Sequence, residues 1–240
     1  MTTIATANLD THLRDNPYPG RGLIIGRSSS LDAWFIVYWI MGRSTQSRNR
    51  KFVAVDGTLR TEPVDASLVT DPSLIIYDAM LELPDVYIVS NGDQTRSIYD
   101  ELRTGGKFET ALAKREHEPD APHYTPRISG MLDFRSQEPA IALSILKANP
   151  LDPQRTDRFT YRPASPSAGF GVGLTTYNGD GSPLPSFQGD PLLLPLKGDS
   201  EEVLHTYWEA LNAENRIALA VKQVPFHGGV SELKVLNSRK

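Results

Sequence analysis

Apolar residues in this chain come in short blocks, separated by glycine, proline and small polar residues. Residues 1–16 contain no sustained apolar block and read as a flexible polar N-terminal arm. Pro17-Tyr18-Pro19-Gly20 reads as a turn, because proline fixes φ and glycine relaxes it. Gly22 to Gly26 and the aromatic, β-branched run Ala33 to Met41 predict two buried strands, with Arg27 to Asp32 as a hairpin-like connection. Lys51–Asp56, Ser73–Tyr77 and Asp85–Ser90 predict a third, fourth and fifth strand, with a turn at Leu83-Pro84-Asp85. Ile98–Leu102 and Lys107–Lys114 read as helical, since Phe108, Ala111 and Leu112 share a face.

Ile128–Phe134 and Ala140–Leu146 return to strand character, residues 147–166 read as a proline-rich loop, and Gly169–Tyr177 as a glycine-containing strand. Asn178 to Asp190 reads as a long turn. Glu201–Asn212 places Val203, Leu204, Tyr207, Trp208 and Leu211 at helical spacing behind an Asp199-Ser200 cap, and Asn215–Val224 is either a partner helix or a strand. Blocks of strands and helices that segregate rather than alternate predict the α+β class, with residues 17–240 as a single domain.

Composition narrows the function. The chain has 240 residues and a net charge of -4, which disfavours a general nucleic-acid binder, whose footprint is basic. Its arginines are uneven: Arg21, Arg27, Arg43, Arg48, Arg50 and Arg60 fall in one early stretch, so a local cationic pocket fits on an acidic protein. With 0 cysteines, disulfides and thiolate nucleophiles are excluded, and a reducing cytoplasm is the expected setting. No two of the 5 histidines have the i, i+4 helix spacing of a zinc site, so no metal and no cofactor is expected. The first residues lack the basic start and apolar core of a signal peptide, and Ala33–Met41 is too short to span a bilayer.

The chain contains no phosphate-binding loop, no dinucleotide fingerprint and no nucleophile elbow, so ATP hydrolysis, nicotinamide chemistry and serine hydrolysis lack support. Thr2 or Thr3 could be a terminal nucleophile in principle, but the long polar stretch ahead of the first strand weighs against it. What remains is a series of polar clusters abutting strand-like runs: Gly42-Arg43-Ser44 with Arg48-Asn49-Arg50, Ser90 to Thr95, Glu118-Pro119-Asp120 and Thr125-Pro126-Arg127. Their side chains suit phosphate, ribose or an amide-rich base. Asn91-Gly92 stands between a strand and a helix, where exposed backbone N–H groups meet a polar ligand or simply cap the helix.

Taken in order, Tyr18-Pro-Gly-Arg21, Gly42-Arg43-Ser44 with Arg48-Asn49-Arg50, Leu74-Ile-Ile-Tyr77, Val89 to Thr95 and Tyr124-Thr-Pro-Arg-Ile128 resemble the stand-alone, archaeal-type IMP cyclohydrolase family. The resemblance covers residues 17–135 and continues thinly through Thr175-Thr176-Tyr177. It implies a four-layer αββα sandwich like that of the N-terminal-nucleophile hydrolases, without self-cleavage. It also implies closure of 5-formamidoimidazole-4-carboxamide ribotide to IMP and water, with a purine ribonucleotide as the bound small molecule. By motif, Arg50, Tyr77 and Glu118 would be catalytic, with Glu116 close to Glu118. Arg21, Arg43 and Arg127 would be candidates for the phosphate, and Asn91, Gly92, Thr125 and Tyr177 would orient the rest of the substrate. A homo-oligomer is expected. The alternatives are a purine-nucleotide-binding protein without turnover and an amidohydrolase on the same scaffold.

Overall fold

The computed structural model describes residues 1–29, 33–69, 72 and 75–239. Its strands are β1 (Gly22–Arg27), β2 (Ala33–Met41), β3 (Lys51–Val55), β4 (Thr58–Glu62), β5 (Asp78–Leu83), β6 (Val86–Ser90), β7 (Arg127–Asp133), β8 (Ala140–Ala148), β9 (Thr156–Tyr161), β10 (Phe170–Thr175), β11 (Leu192–Pro195), β12 (Arg216–Pro225) and β13 (Glu232–Asn237). The helices are α1 (Thr2–Leu9), α2 (Thr45–Arg48), α3 (Gln94–Arg103), α4 (Phe108–Leu112) and α5 (Ser200–Ala210).

The strands form a 6-stranded sheet in the order β11-β10-β1-β2-β12-β13 and a 7-stranded sheet in the order β3 to β9. Every pairing is antiparallel. The protein is therefore α+β, with two antiparallel sheets in a sandwich-like arrangement.

The uninterrupted apolar run of β2 follows from burial on both faces. Tyr38 stacks on Phe52 and Trp34 meets Phe134 edge-on, so these even positions point at the second sheet. Trp39 stacks instead on Tyr207 of α5, on the opposite face. The sheets meet closely where Gly130 of β7 lies under β1: a Cβ there would come within 2.9 Å of Ile25. The outer face of the second sheet is covered by α3 and α4, through Ile98, Leu102, Phe108 and Leu112 on Val86, Ile88, Met131 and Leu146.

Several sequence expectations give way here. Residues 1–16 are not a loose arm: Ala5, Leu9 and Leu13 recur every four residues and form a buried stripe that docks α1 and the following π-turn (Asp10–Arg14) beside β11. The expected strand Ser73–Tyr77 is not one. Ser73 and Leu74 lie outside the described residues, Ile75–Tyr77 is irregular, and the strand starts at Asp78. The 147–166 loop contains β9, an edge strand made mostly of polar residues, so no apolar run marked it. Asn215–Val224 resolves as strand β12. Short strands β4, β11 and β13 were not foreseen.

Gly22 pairs with Trp39, and a Cβ on Gly22 would fall 1.9 Å from the indole ring. Gly22→Ala is therefore expected to lower stability by about 1–3 kcal/mol through overpacking. Urea unfolding should show a lower midpoint at unchanged slope. An unchanged midpoint would mean that Trp39 yields without strain.

Candidate active site

Six polar side chains stand just outside strand ends at one end of the sandwich. Arg21 precedes β1, Arg43 follows β2, Arg50 precedes β3, Tyr77 precedes β5, Thr125 precedes β7 by two residues, and Tyr177 follows β10 by two. Rigid strands thus deliver residues that are far apart in sequence to one place. Five of them, Arg21, Arg43, Arg50, Thr125 and Tyr177, line a cavity of about 230 Å3 together with Tyr18, Ser44, Ser47, Asp120, His123 and Leu184; Tyr77 is off that wall but near enough to Arg21 and Arg50 to bear on their charge.

Gly20, at φ +74°, makes the turn that the sequence predicts and leaves no room for a Cβ, which would lie 2.2 Å from Thr176 Oγ1. That close approach fixes the next residue: the Arg21 N–H donates to Thr176 Oγ1 and the Thr176 N–H to the Arg21 carbonyl. The largely buried Arg21 guanidinium then donates to Glu118 Oε1 at 3.1 Å. Glu118 is 3% exposed. Its second oxygen accepts no hydrogen bond among the described residues; Glu118 itself is not on the cavity wall, which it reaches through Arg21. Burial pushes the Glu118 carboxyl above the usual carboxylate range, opposed by Arg21, Arg127 and Arg50. Burial acts against charge on Arg21 too, but Glu118 and the surrounding tyrosines hold it firmly protonated. Glu116, two residues away, is exposed, so burial distinguishes the two carboxylates.

Arg50 is also buried. It spends Nε on the Ser47 carbonyl and Nη2 on the Met41 carbonyl, and no carboxylate among the described residues pairs with it. Burial and then repulsion by Arg21 lower its proton affinity. A buried arginine with unspent donors beside a second cation favours an anion. Tyr77 is held by mutual backbone and hydroxyl bonds with Thr61 and shares a 2.8 Å hydroxyl contact with Tyr38. Burial, then Tyr77, push the Tyr38 phenol well above its ordinary range, so Tyr38 keeps its proton. At the rim, Arg43 pairs with Asp180 and lies over the ring of Tyr18, 4.9 Å from its centre.

The segment 118–125 closes on itself: the Glu118 N–H donates to the Thr125 carbonyl, and Asp120 Oδ1 accepts the Thr125 N–H at 2.6 Å. Tyr124 takes φ +45° within this loop, a left-handed conformation uncommon for a bulky residue. The hydroxyls of Thr125 and Tyr177 lie 2.6 Å apart.

Three expected binding residues stand apart from the cavity wall. The Asn91 side chain donates to the Pro126 carbonyl and accepts from the Ile128 N–H and from Gln94. These bonds tie the start of α3 to the 125–128 segment. Arg127 donates to Asp93 and Gln94, and Gly92 leaves room for its guanidinium, 2.7 Å from where a Cβ would sit. Thr2 and Thr3 begin a helix and do not line the cavity. Sequence reasoning passed over Tyr38 as a site residue, because it lies inside an apolar strand. It also passed over His123 and Leu184, which carry no motif. Among the described residues, no group of three acidic or histidine side chains is placed to hold a metal ion, and no helix is long and apolar enough to cross a membrane.

A family model described as IMP cyclohydrolase-like protein matches residues 18–226. The chain belongs to that family. It is 33% identical over 129 residues to an IMP cyclohydrolase of Methanothrix thermoacetophila, covering 52% of this chain and 62% of that protein. It is 30% identical over 118 residues to an IMP cyclohydrolase of Methanocaldococcus jannaschii, covering 48% of this chain and 57% of that protein. The chain thus spans about six tenths of the length of these curated relatives.

Arg21→Gln would leave Glu118 buried without its cation and should cost about 3–5 kcal/mol at neutral pH. The sign follows from the raised carboxyl. Stability of the variant should be greatest below the unfolded carboxylate range and fall as pH rises through the folded-state value, because charging Glu118 then opposes folding. Adding Glu118→Gln should remove that slope. Thermal melts from acid to neutral pH that run parallel for the two variants would contradict this.

Proposed function

We propose that this chain is an IMP cyclohydrolase, closing 5-formamidoimidazole-4-carboxamide ribotide to IMP and water. The observation that carries the reading is the buried group behind Arg21 and Arg50 of the cavity wall: a carboxyl of raised proton affinity paired with the first arginine, the second arginine without a carboxylate partner among the described residues, and a hydrogen-bonded tyrosine pair. Family membership and the two relatives bearing that name support it. Helices on the outer faces of both sheets support the finer inference of a four-layer sandwich like that of the N-terminal-nucleophile hydrolases.

The substrate carries both reacting groups, so the protein needs mainly to hold the carboxamide nitrogen against the formyl carbon. As that N–C bond forms, the formyl C=O becomes an oxyanion. Arg50 and Tyr77 would donate to it, with Tyr38 donating to Tyr77 so that the Tyr77 proton faces the ligand. Glu118 Oε2 would take a proton from the carboxamide nitrogen. A carboxylate with raised proton affinity takes that proton more readily, and the adjacent Arg21 would help it pass the proton on to the departing oxygen. One hydrogen from the carboxamide nitrogen and one from the formamido nitrogen leave with the formyl oxygen as water, and a C=N bond remains. Arg43, with Ser44 at the rim, would hold the 5′-phosphate, which would replace Asp180 as its partner. Asn91, Gly92 and Arg127 would act by fixing the 125–128 segment.

Purified protein should convert the formamido ribotide to IMP, followed by ultraviolet absorbance and product chromatography. Glu118→Gln should lower kcat by about 10²–10⁴-fold while IMP still raises the melting temperature. Tyr77→Phe should lower kcat by about 10²–10³-fold. Absence of turnover by the unaltered chain, with IMP still stabilising it, would replace this reading with that of a nucleotide-binding protein.

A further inference from the structure

Asp120, Thr125 and Tyr177 form a hydrogen-bonded chain whose direction is fixed. Asp120 Oδ1 accepts the Thr125 backbone N–H, and Oδ2 accepts from Thr125 Oγ1. A hydroxyl has one proton, and that of Thr125 is committed to Asp120. The 2.6 Å contact between Thr125 and Tyr177 therefore has Tyr177 as its donor. The Tyr177 phenol has then spent its own proton as well. It is buried, stacked on Tyr18 at 5.9 Å, and its ring lines the cavity beside Arg21. Burial raises its proton affinity, so it does not ionise near neutral pH.

We infer that Asp120 is a positioning residue that sets the polarity of this relay and makes Tyr177 Oη an acceptor-only group toward the ligand. The site would thereby select a substrate presenting an N–H at that point. This rests on the ring-closure reading for the identity of the N–H, namely the carboxamide nitrogen that becomes N1–H of the product. An amide nitrogen with one hydrogen on Tyr177 and the other directed at Glu118 is held in a single plane facing the formyl carbon. Asp120 touches no reacting atom; it acts through Thr125 and Tyr177.

The relay can be reversed. In Asp120→Asn the Thr125 N–H still requires an acceptor, so the amide oxygen takes that place and the NH2 group turns to Thr125 Oγ1. Thr125 then donates to Tyr177, and the phenol O–H turns toward the ligand. The test is equilibrium binding of IMP, which carries N1–H, and of AMP, whose N1 is an acceptor. The unaltered protein should prefer IMP. Asp120→Asn should lower the IMP-to-AMP affinity ratio about tenfold or more, since a donor facing a donor leaves both unpaired. In a Tyr177→Phe background the same change should leave the ratio unmoved. Should Asp120→Asn not fold, Thr125→Val makes the same test by freeing the Tyr177 proton. A ratio unchanged by Asp120→Asn, shifted equally in both backgrounds, or absent from the unaltered protein would overturn the relay. Failure of the unaltered chain to form IMP would overturn the ring-closure reading alone, because this measurement needs binding and no turnover.

Discussion

The site depends on one buried ion pair, Arg21 with Glu118. It joins the two sheets' loops at their shared end: Arg21 leads into β1 of the first sheet, and Glu118 sits in the loop ahead of β7 of the second. Neither group is cheap to bury, and neither is fully offset by the other. The surplus favours charge on the arginine and the neutral form of the carboxyl. That asymmetry makes the pair suited to proton transfer, since a carboxylate above its ordinary range is a stronger base than a solvated one. Arg50 adds a second buried cation with no described carboxylate as partner, so the cavity floor has an excess of positive charge while the whole chain is acidic.

The sandwich explains how these residues meet. Close contact between the sheets, with Gly130 under Leu23 and Ile25, gives a stiff frame, and the functional side chains sit one or two residues beyond its strand ends. The Gly20 turn, the Asn91 side-chain bonds and the closed 118–125 loop then set the individual positions. Asn91 and Arg127 lie off the cavity wall; Asn91 bonds the backbone of Pro126 and Ile128, and Arg127 bonds Asp93 and Gln94.

Much of this was legible in the sequence, and the exceptions have physical reasons. The apolar runs at β1, β2, β6, β7 and β8 announced themselves because they are buried on both faces. Edge strand β9 did not, because four of its six residues, Thr156, Asp157, Arg158 and Thr160, are polar and break up any apolar run. Strand β13 escaped notice too; Asn237 there continues the hydrogen bonding to Phe52 of β3, a side-chain join that no period reveals. The α1 stripe of Ala5, Leu9 and Leu13 was readable but diluted by threonines. In the candidate site, Arg43, Arg50 and Tyr77 stand in the sequence near the ends of apolar runs, whereas Glu118 lies in a proline-flanked segment, and it was the family resemblance that singled these residues out together with Thr125 and Tyr177. Tyr38 could not, since its hydroxyl lies within such a run and only the sheet-to-sheet packing brings it to Tyr77. The direction of the Asp120 relay is likewise a property of three-dimensional hydrogen bonding.

The most direct test of the account is an infrared difference titration of the Glu118 carboxyl, assigned by loss of its protonated C=O band in Glu118→Gln. The account predicts that Glu118 protonates above the ordinary carboxylate range in the unaltered protein, and higher still when Arg21 is replaced by Gln. Protonation within or below the ordinary range, unmoved by loss of Arg21, would contradict it.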